Sequence, residues 1–201
     1  MTFQEFYFFV RETCDFITQK GVGEEMFRRP AKAPICKKNF IEKKISDSFL
    51  QYFQEKHPDL NCTSWSGNPL QVSDTIFFWY PDRETDAIIP GGERQALFLE
   101  FKVFDKESAG HKGCDVSNAF VQLLQCMMMD SRQDKEGAVV VFDIWSDTTQ
   151  KRCFDARPHD KEFVSQLQQM PCARNIHLVW IWFDRALKQV RCDMCPREGK
   201  E

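Results

Sequence analysis

An α/β fold is predicted for this 201-residue chain by the order of its periodicities. Two segments near the start repeat apolar residues at helical spacing. A run of short strand-like segments follows, and the pattern then alternates helix, strand, helix, strand, giving α, α, a β-meander, α, β, α, β. A hydrophobic content of 42% with 28% charged residues is that of a globular chain. No internal repeat or low-complexity stretch divides it, so one domain over residues 1–201 is expected.

The elements follow in order. Residues 3–19 place Phe6, Phe9, Val10, Cys14 and Ile17 on one helical stripe, and Gly21 and Gly23 close it. A loop with Pro30 and Pro34 leads to a helix over 39–56, where Ile41, Ile45, Phe49 and Phe53 recur every four residues. His57-Pro58 ends that helix, because a residue before proline is pushed toward extended conformations. Strand-like runs occupy 62–65, 75–80, 86–90 and 96–104, a meander of hairpins. A helix over 115–130 presents Phe120, Leu123, Leu124, Met127 and Met128. Residues 138–145 form the apolar run of a buried strand, a helix covers 161–170, and a last strand covers 176–183.

The net charge of −3 gives no global attraction to nucleic acid, so any basic surface is local. One such run exists: Arg28, Arg29, Lys32, Lys37, Lys38, Lys43 and Lys44 lie between residues 28 and 44 with Glu42 as the one acid. Such a run can neutralise phosphates, and it can equally be a solvated loop and helix face. No apolar run approaches the length of a membrane span, and residues 1–10 lack the basic region and small-residue cleavage site of a signal peptide. A cytoplasmic protein with no membrane partner is therefore expected, its nine cysteines mostly reduced and buried as small hydrophobes. Cys192 and Cys195 form a C-x-x-C, half the ligand set of a zinc ion. Cys153, Cys172 and His177 stand at nonstandard spacing to complete it, so free thiols are expected there.

The most informative segment is the hairpin formed by 86–90 and 96–104 across Gly91-Gly92. Residues two apart in a strand share a face, so Glu100 and Lys102 project side by side. Leu97, Leu99, Phe101 and Val103 take the other face, with Phe98 breaking the alternation. Charges in a strand that otherwise reads as core are costly unless paired with each other, a metal or a substrate. The competing reading is a surface ion pair on an edge strand, worth roughly 0–1 kcal/mol. With Asp86 from the neighbouring strand the set becomes two carboxylates and one ammonium, the chemistry of a hard divalent cation holding a phosphate.

Asp86 followed by Glu100-Phe101-Lys102 after fourteen residues resembles the signature of the PD-(D/E)XK, restriction-endonuclease-like nuclease superfamily. The order of elements over about 39–145 is similar to that family's αβββαβ core, a mixed central sheet flanked by helices. The first helix and the C-terminal α/β segment would then be additions. The resemblance implies Mg²⁺ or Mn²⁺ held by Asp86 and Glu100 with the main-chain carbonyl of Phe101. Lys102 would hold the attacking water or stabilise charge building on the phosphorus. The implied function is metal-dependent hydrolysis of phosphodiesters, in DNA rather than RNA. The alternative is a non-catalytic nucleic-acid or protein-binding module on the same fold. Many relatives act as dimers, so a homodimer is compatible with the resemblance.

Further candidates attach to this frame. Asp74 also leads a strand and rivals Asp86 as the first acid, though one strand further away. Some relatives carry a glutamate on the first core helix and a glutamine on the helix after Glu-x-Lys. Glu42 and Gln122 match those positions, and each also reads plainly, as a solvated glutamate and as a core-flanking amide. Lys112, in the loop after the catalytic strand, is a candidate phosphate contact together with Lys37, Lys38, Lys43 and Lys44.

Overall fold

The first helix, α1 (Phe3–Gln19), begins where a capping box sets it. In the computed structural model the Thr2 hydroxyl accepts the N–H of Glu5 at 3.3 Å and the Glu5 carboxylate accepts the N–H of Thr2 at 2.7 Å. The structure describes residues 2–28, 38–60, 63–64, 87–90, 95–104, 116–129, 133–144, 166, 169–171 and 173–195. Gly21 ends the α1 region with φ of 70°, a conformation costly for residues with a Cβ. A short helix α2 (Gly23–Met26) follows directly, where the sequence suggested only a loop. A Cβ on Gly23 would stand 2.6 Å from Val190 Cγ2, so glycine is what lets this turn settle on the sheet.

Helix α3 (Lys38–Lys56) buries Ile41, Ile45, Phe49 and Phe53, the four-residue stripe expected of it. Among the described residues six strands form one sheet in chain order: β1 (Thr63–Ser64), β2 (Ala87–Pro90), β3 (Gln95–Phe104), β4 (Asp134–Asp143), β5 (Ile176–Asp184) and β6 (Gln189–Cys195). Helix α4 (Val116–Met129) connects β3 to β4. The sheet is mixed: β1–β2–β3 and β5–β6 pair antiparallel, while β3–β4 and β4–β5 pair parallel. A parallel pair needs a crossover, and α4 supplies the first one.

Two apolar layers cover the sheet. On one face, α1 and α3 pack over Leu97, Leu99, Phe101 and Val103 of β3, with Val140, Phe142, Val179 and Ile181 beside them. On the other, α4 lays Val116, Phe120, Leu123 and Met127 over Phe98, Phe104, Val139, Val141 and Trp180. Phe98 therefore keeps the alternation: it lies on the face of Glu100 and Lys102, and it is apolar because α4 covers that face. The hairpin from β5 to β6 turns on Asp184, whose carboxylate accepts the N–H groups of Ala186 and Leu187 at 3.1 Å each.

The expected element boundaries hold for α1, α3, α4 and β3 within a residue or so. Strand β4 starts four residues earlier than its apolar run, at Asp134, because it follows the ladder of β3 from Gln95. Strand β6 was not expected at all. The strand proposed for residues 75–80 lies outside the described residues, as does most of the helix proposed for 161–170. Among the described residues no helix is long and apolar enough to cross a membrane.

Candidate functional site

Strand β3 carries Glu100 and Lys102 on one face, as their spacing requires. Lys102 Nζ lies 2.7 Å from Glu100 Oε1, a charge-assisted hydrogen bond. A second carboxylate approaches from α3, where Glu42 Oε1 stands 3.6 Å from the same ammonium. Exposure rises across the group, from 3% for the Glu100 side chain to 16% for Lys102 and 21% for Glu42. The glutamate is thus buried while the lysine and its second partner reach solvent. This is not the edge-strand surface pair that chance would produce.

Glu42 lies next to Ile41 and one turn before Ile45, at the margin of the buried stripe of α3. Its other oxygen accepts the backbone N–H of Val103 at 3.3 Å. The described β2–β3 register ends at Ala87 opposite Leu99, so this N–H lies beyond it along β3. Main-chain groups alternate sides along a strand. The carbonyl of Phe104 accepts from Ile144 of the β4 segment, and the N–H of Val103 turns to the opposite side. The carbonyl of Phe101, two residues before Val103, therefore lies on the Glu42 side of β3. Lys102 thus joins Glu42 and Glu100 in one polar group, and the Phe101 carbonyl points to the same β2-facing side of the strand.

The remaining candidates fall as follows. Gln122 is half-buried on the flank of the α4 stripe, on the helix that covers the Glu100 face. Lys43 and Lys44 are exposed on α3 directly after Glu42, and Lys38 is the first residue of that helix. Asp86, Asp74, Lys37 and Lys112 lie outside the described residues. Cys192 and Cys195 both belong to β6, and three residues of extended strand span about 10 Å. Among the described residues no cluster of three or more His, Cys, Asp or Glu is placed to hold a metal.

A second charged group escaped the sequence reading. Glu136 Oε2 accepts the N–H of Phe3 at 2.6 Å, and its other oxygen lies 3.8 Å from His177 Nε2. The Phe3 and His177 rings stack at 3.8 Å with 3° between their planes. The His177 imidazole, helped by the Phe3 N–H and opposed by burial, holds the Glu136 carboxyl below its ordinary value. Glu136 pairs with Leu97 and Lys102 with Val141, so this group sits toward the other end of the β3–β4 ladder. It fastens the start of α1 to the sheet.

No family model, curated protein or solved structure matches this chain.

Proposed function

We propose that the chain is a metal-dependent nuclease of restriction-endonuclease-like fold, acting on DNA. One observation carries the reading: a buried glutamate and a lysine two residues on share a strand face, and a helix glutamate meets them there. The order α3, β1, β2, β3, α4, β4, with β3 and β4 parallel, is the order of an αβββαβ core and supports it.

The residues present suit a hard cation. Glu100 and Glu42 bring carboxylate oxygens and Phe101 a main-chain carbonyl, the donor chemistry that Mg²⁺ and Mn²⁺ prefer, with Asp86 proposed as the further acid. When bound, the ion supplies Lewis acidity toward a phosphate oxygen and a nucleophilic water at neutral pH. Lys102 then orients the attacking water and places positive charge where negative charge grows on the phosphoryl oxygens. Glu42 holds that ammonium from the solvent side, so its position does not depend on Glu100 alone. The backbone bond from Val103 to Glu42 fixes the helix against the strand and keeps the group in register. The exposed Lys43 and Lys44 continue from Glu42 and offer contacts to the DNA backbone.

The test is plasmid cleavage by the purified chain with Mg²⁺ or Mn²⁺. Wild type is expected to cut, and Glu100→Gln and Lys102→Met each to lose roughly 100-fold or more, the size usual for removing one transition-state contact. Circular dichroism checks that both variants stay folded. Variants that cut at the wild-type rate, or a wild type that binds DNA without cutting it under any metal, would reject the reading; the latter would leave a binding module.

A further inference from the structure

Helix α1 lies along β6, and the two are tied where the Thr18 hydroxyl accepts the N–H of Val190 at 2.8 Å. One turn back along the helix from Thr18 is Cys14, and two residues on along the strand from Val190 is Cys192. Thr18 meets Val190 while Cys14 and Tyr7, earlier on the helix, meet Cys192, later on the strand, so the two elements run in opposite directions. Cys192 pairs with Ile181, whose side chain belongs to the layer under α1, and Cys192 packs against that layer. Cys14 is 2% exposed within it. Neither thiol is in a disulfide. The Cys192 thiol beside it, together with burial, pushes the Cys14 thiol well above the ordinary cysteine value. Burial first, and then the same Cys192, raises the hydroxyl of Tyr7 two turns earlier on α1. Tyr7, Cys14 and Cys192 thus form one cluster between the first helix and the last strand.

We propose that Cys14 and Cys192 are a redox pair which a small-molecule disulfide, such as oxidised glutathione, converts into a covalent bond between α1 and β6. Cys192 is half-buried and is the thiol that meets the reagent. Its thiolate attacks one sulfur of the small disulfide, whose S–S bond breaks and releases one small thiol. The resulting mixed disulfide at Cys192 faces Cys14. The Cys14 sulfur attacks the Cys192 sulfur as its proton passes to the departing small thiolate, which leaves as the second small thiol. Two protein thiols are oxidised to one disulfide while one small disulfide is reduced to two thiols. The half-buried and buried partners have different roles in this sequence, the first as entry point and the second as resolving thiol. The link would close a loop containing most of the chain, the arrangement with the largest effect on the unfolded state.

The full chain is incubated with oxidised glutathione, alkylated, denatured and mapped by mass spectrometry without reduction. The expected result is a peptide joining Cys14 to Cys192 that dithiothreitol abolishes, with two of the nine thiols lost from a denatured titration. The oxidised chain should melt higher by about 5 °C or more and return on reduction. Cys192→Ser, a change at a half-buried site that spares the core, should show neither the peptide nor the shift; Cys14→Ala should stop at glutathione bound to Cys192. Crosslinks that join other cysteines, glutathione that stays on wild-type Cys192 unresolved, or an unchanged melting point in the linked chain would overturn the proposal.

Discussion

The carboxylate of Glu42 on α3 accepts the main-chain N–H of Val103 on β3 at 3.3 Å. A helix side chain thereby takes up a strand donor beyond the described β2 register, while its second oxygen faces Lys102. Glu42→Ala removes both contacts and is expected to cost about 1–2 kcal/mol in urea denaturation. Glu42→Gln keeps an acceptor for Val103 and should recover most of that stability without recovering full cleavage. If the alanine variant is as stable as wild type, the bond does not form in solution.

Glu100 and Lys102 should be strongly non-additive. Lys102→Met leaves a 3%-exposed carboxylate without its nearest cation, a loss on the order of 3 kcal/mol. Adding Glu100→Gln in the same chain removes the buried charge and should restore much of it. A double-mutant cycle is therefore expected to give a coupling of at least about 1 kcal/mol. Additive single changes would mean that the pair is solvated, as an ordinary surface pair is.

The basic face of α3 is tested separately from the chemistry. Lys43→Ala with Lys44→Ala removes up to two phosphate contacts, so the slope of log affinity against log salt should become shallower by up to about 1.8 for duplex DNA. Cleavage at saturating DNA should change little. An unaltered slope would make these lysines a solvated helix face.

Acid should loosen the fastening of α1. The folded-state Glu136 carboxyl is held below its ordinary value, first by His177. The folded state therefore binds fewer protons than the unfolded one in the carboxylate range. Its contribution is complete above the unfolded value and is lost as pH falls through the lowered folded value. Urea stability measured from about pH 6 to pH 3 should fall less steeply in Glu136→Gln than in wild type. Parallel acid limbs for the two proteins would show that this carboxylate is unshifted.

Helices α1, α3 and α4 were legible because their apolar spacing is a local signal and survives packing: Ile41, Ile45, Phe49 and Phe53 are all buried where their period places them. The pairing of Glu100 with Lys102 was legible for the same reason, since a two-residue spacing on a strand dictates a shared face. Glu42 could be suspected from its place beside the stripe, but its bond to Val103 spans sixty-one residues and has no local signature. Strand β6 escaped notice because Cys192 and Cys195 were weighed as a C-x-x-C pair and not as strand positions, although Val190, Cys192 and Met194 alternate with Arg191 and Asp193 as a half-buried strand does. Treating cysteine as a small apolar residue would have revealed it. The polar start of β4 was hidden too, because Asp134, Lys135 and Glu136 are set there by the neighbouring ladder and not by their own hydrophobicity.

The described strands join the sheet in the order of synthesis, yet helix α1 rests on β6, the last of them. Each new strand can add to the one before it as the chain leaves the ribosome, but α1 has no finished seat until β6 arrives. Folding of this face is thus a closing step that waits for the whole described order of elements. A chain cut before Gln189 would expose the apolar stripe of α1, including Cys14, and the edge of β5 at once. Such a fragment would be a target for chaperones and proteases rather than a smaller working protein.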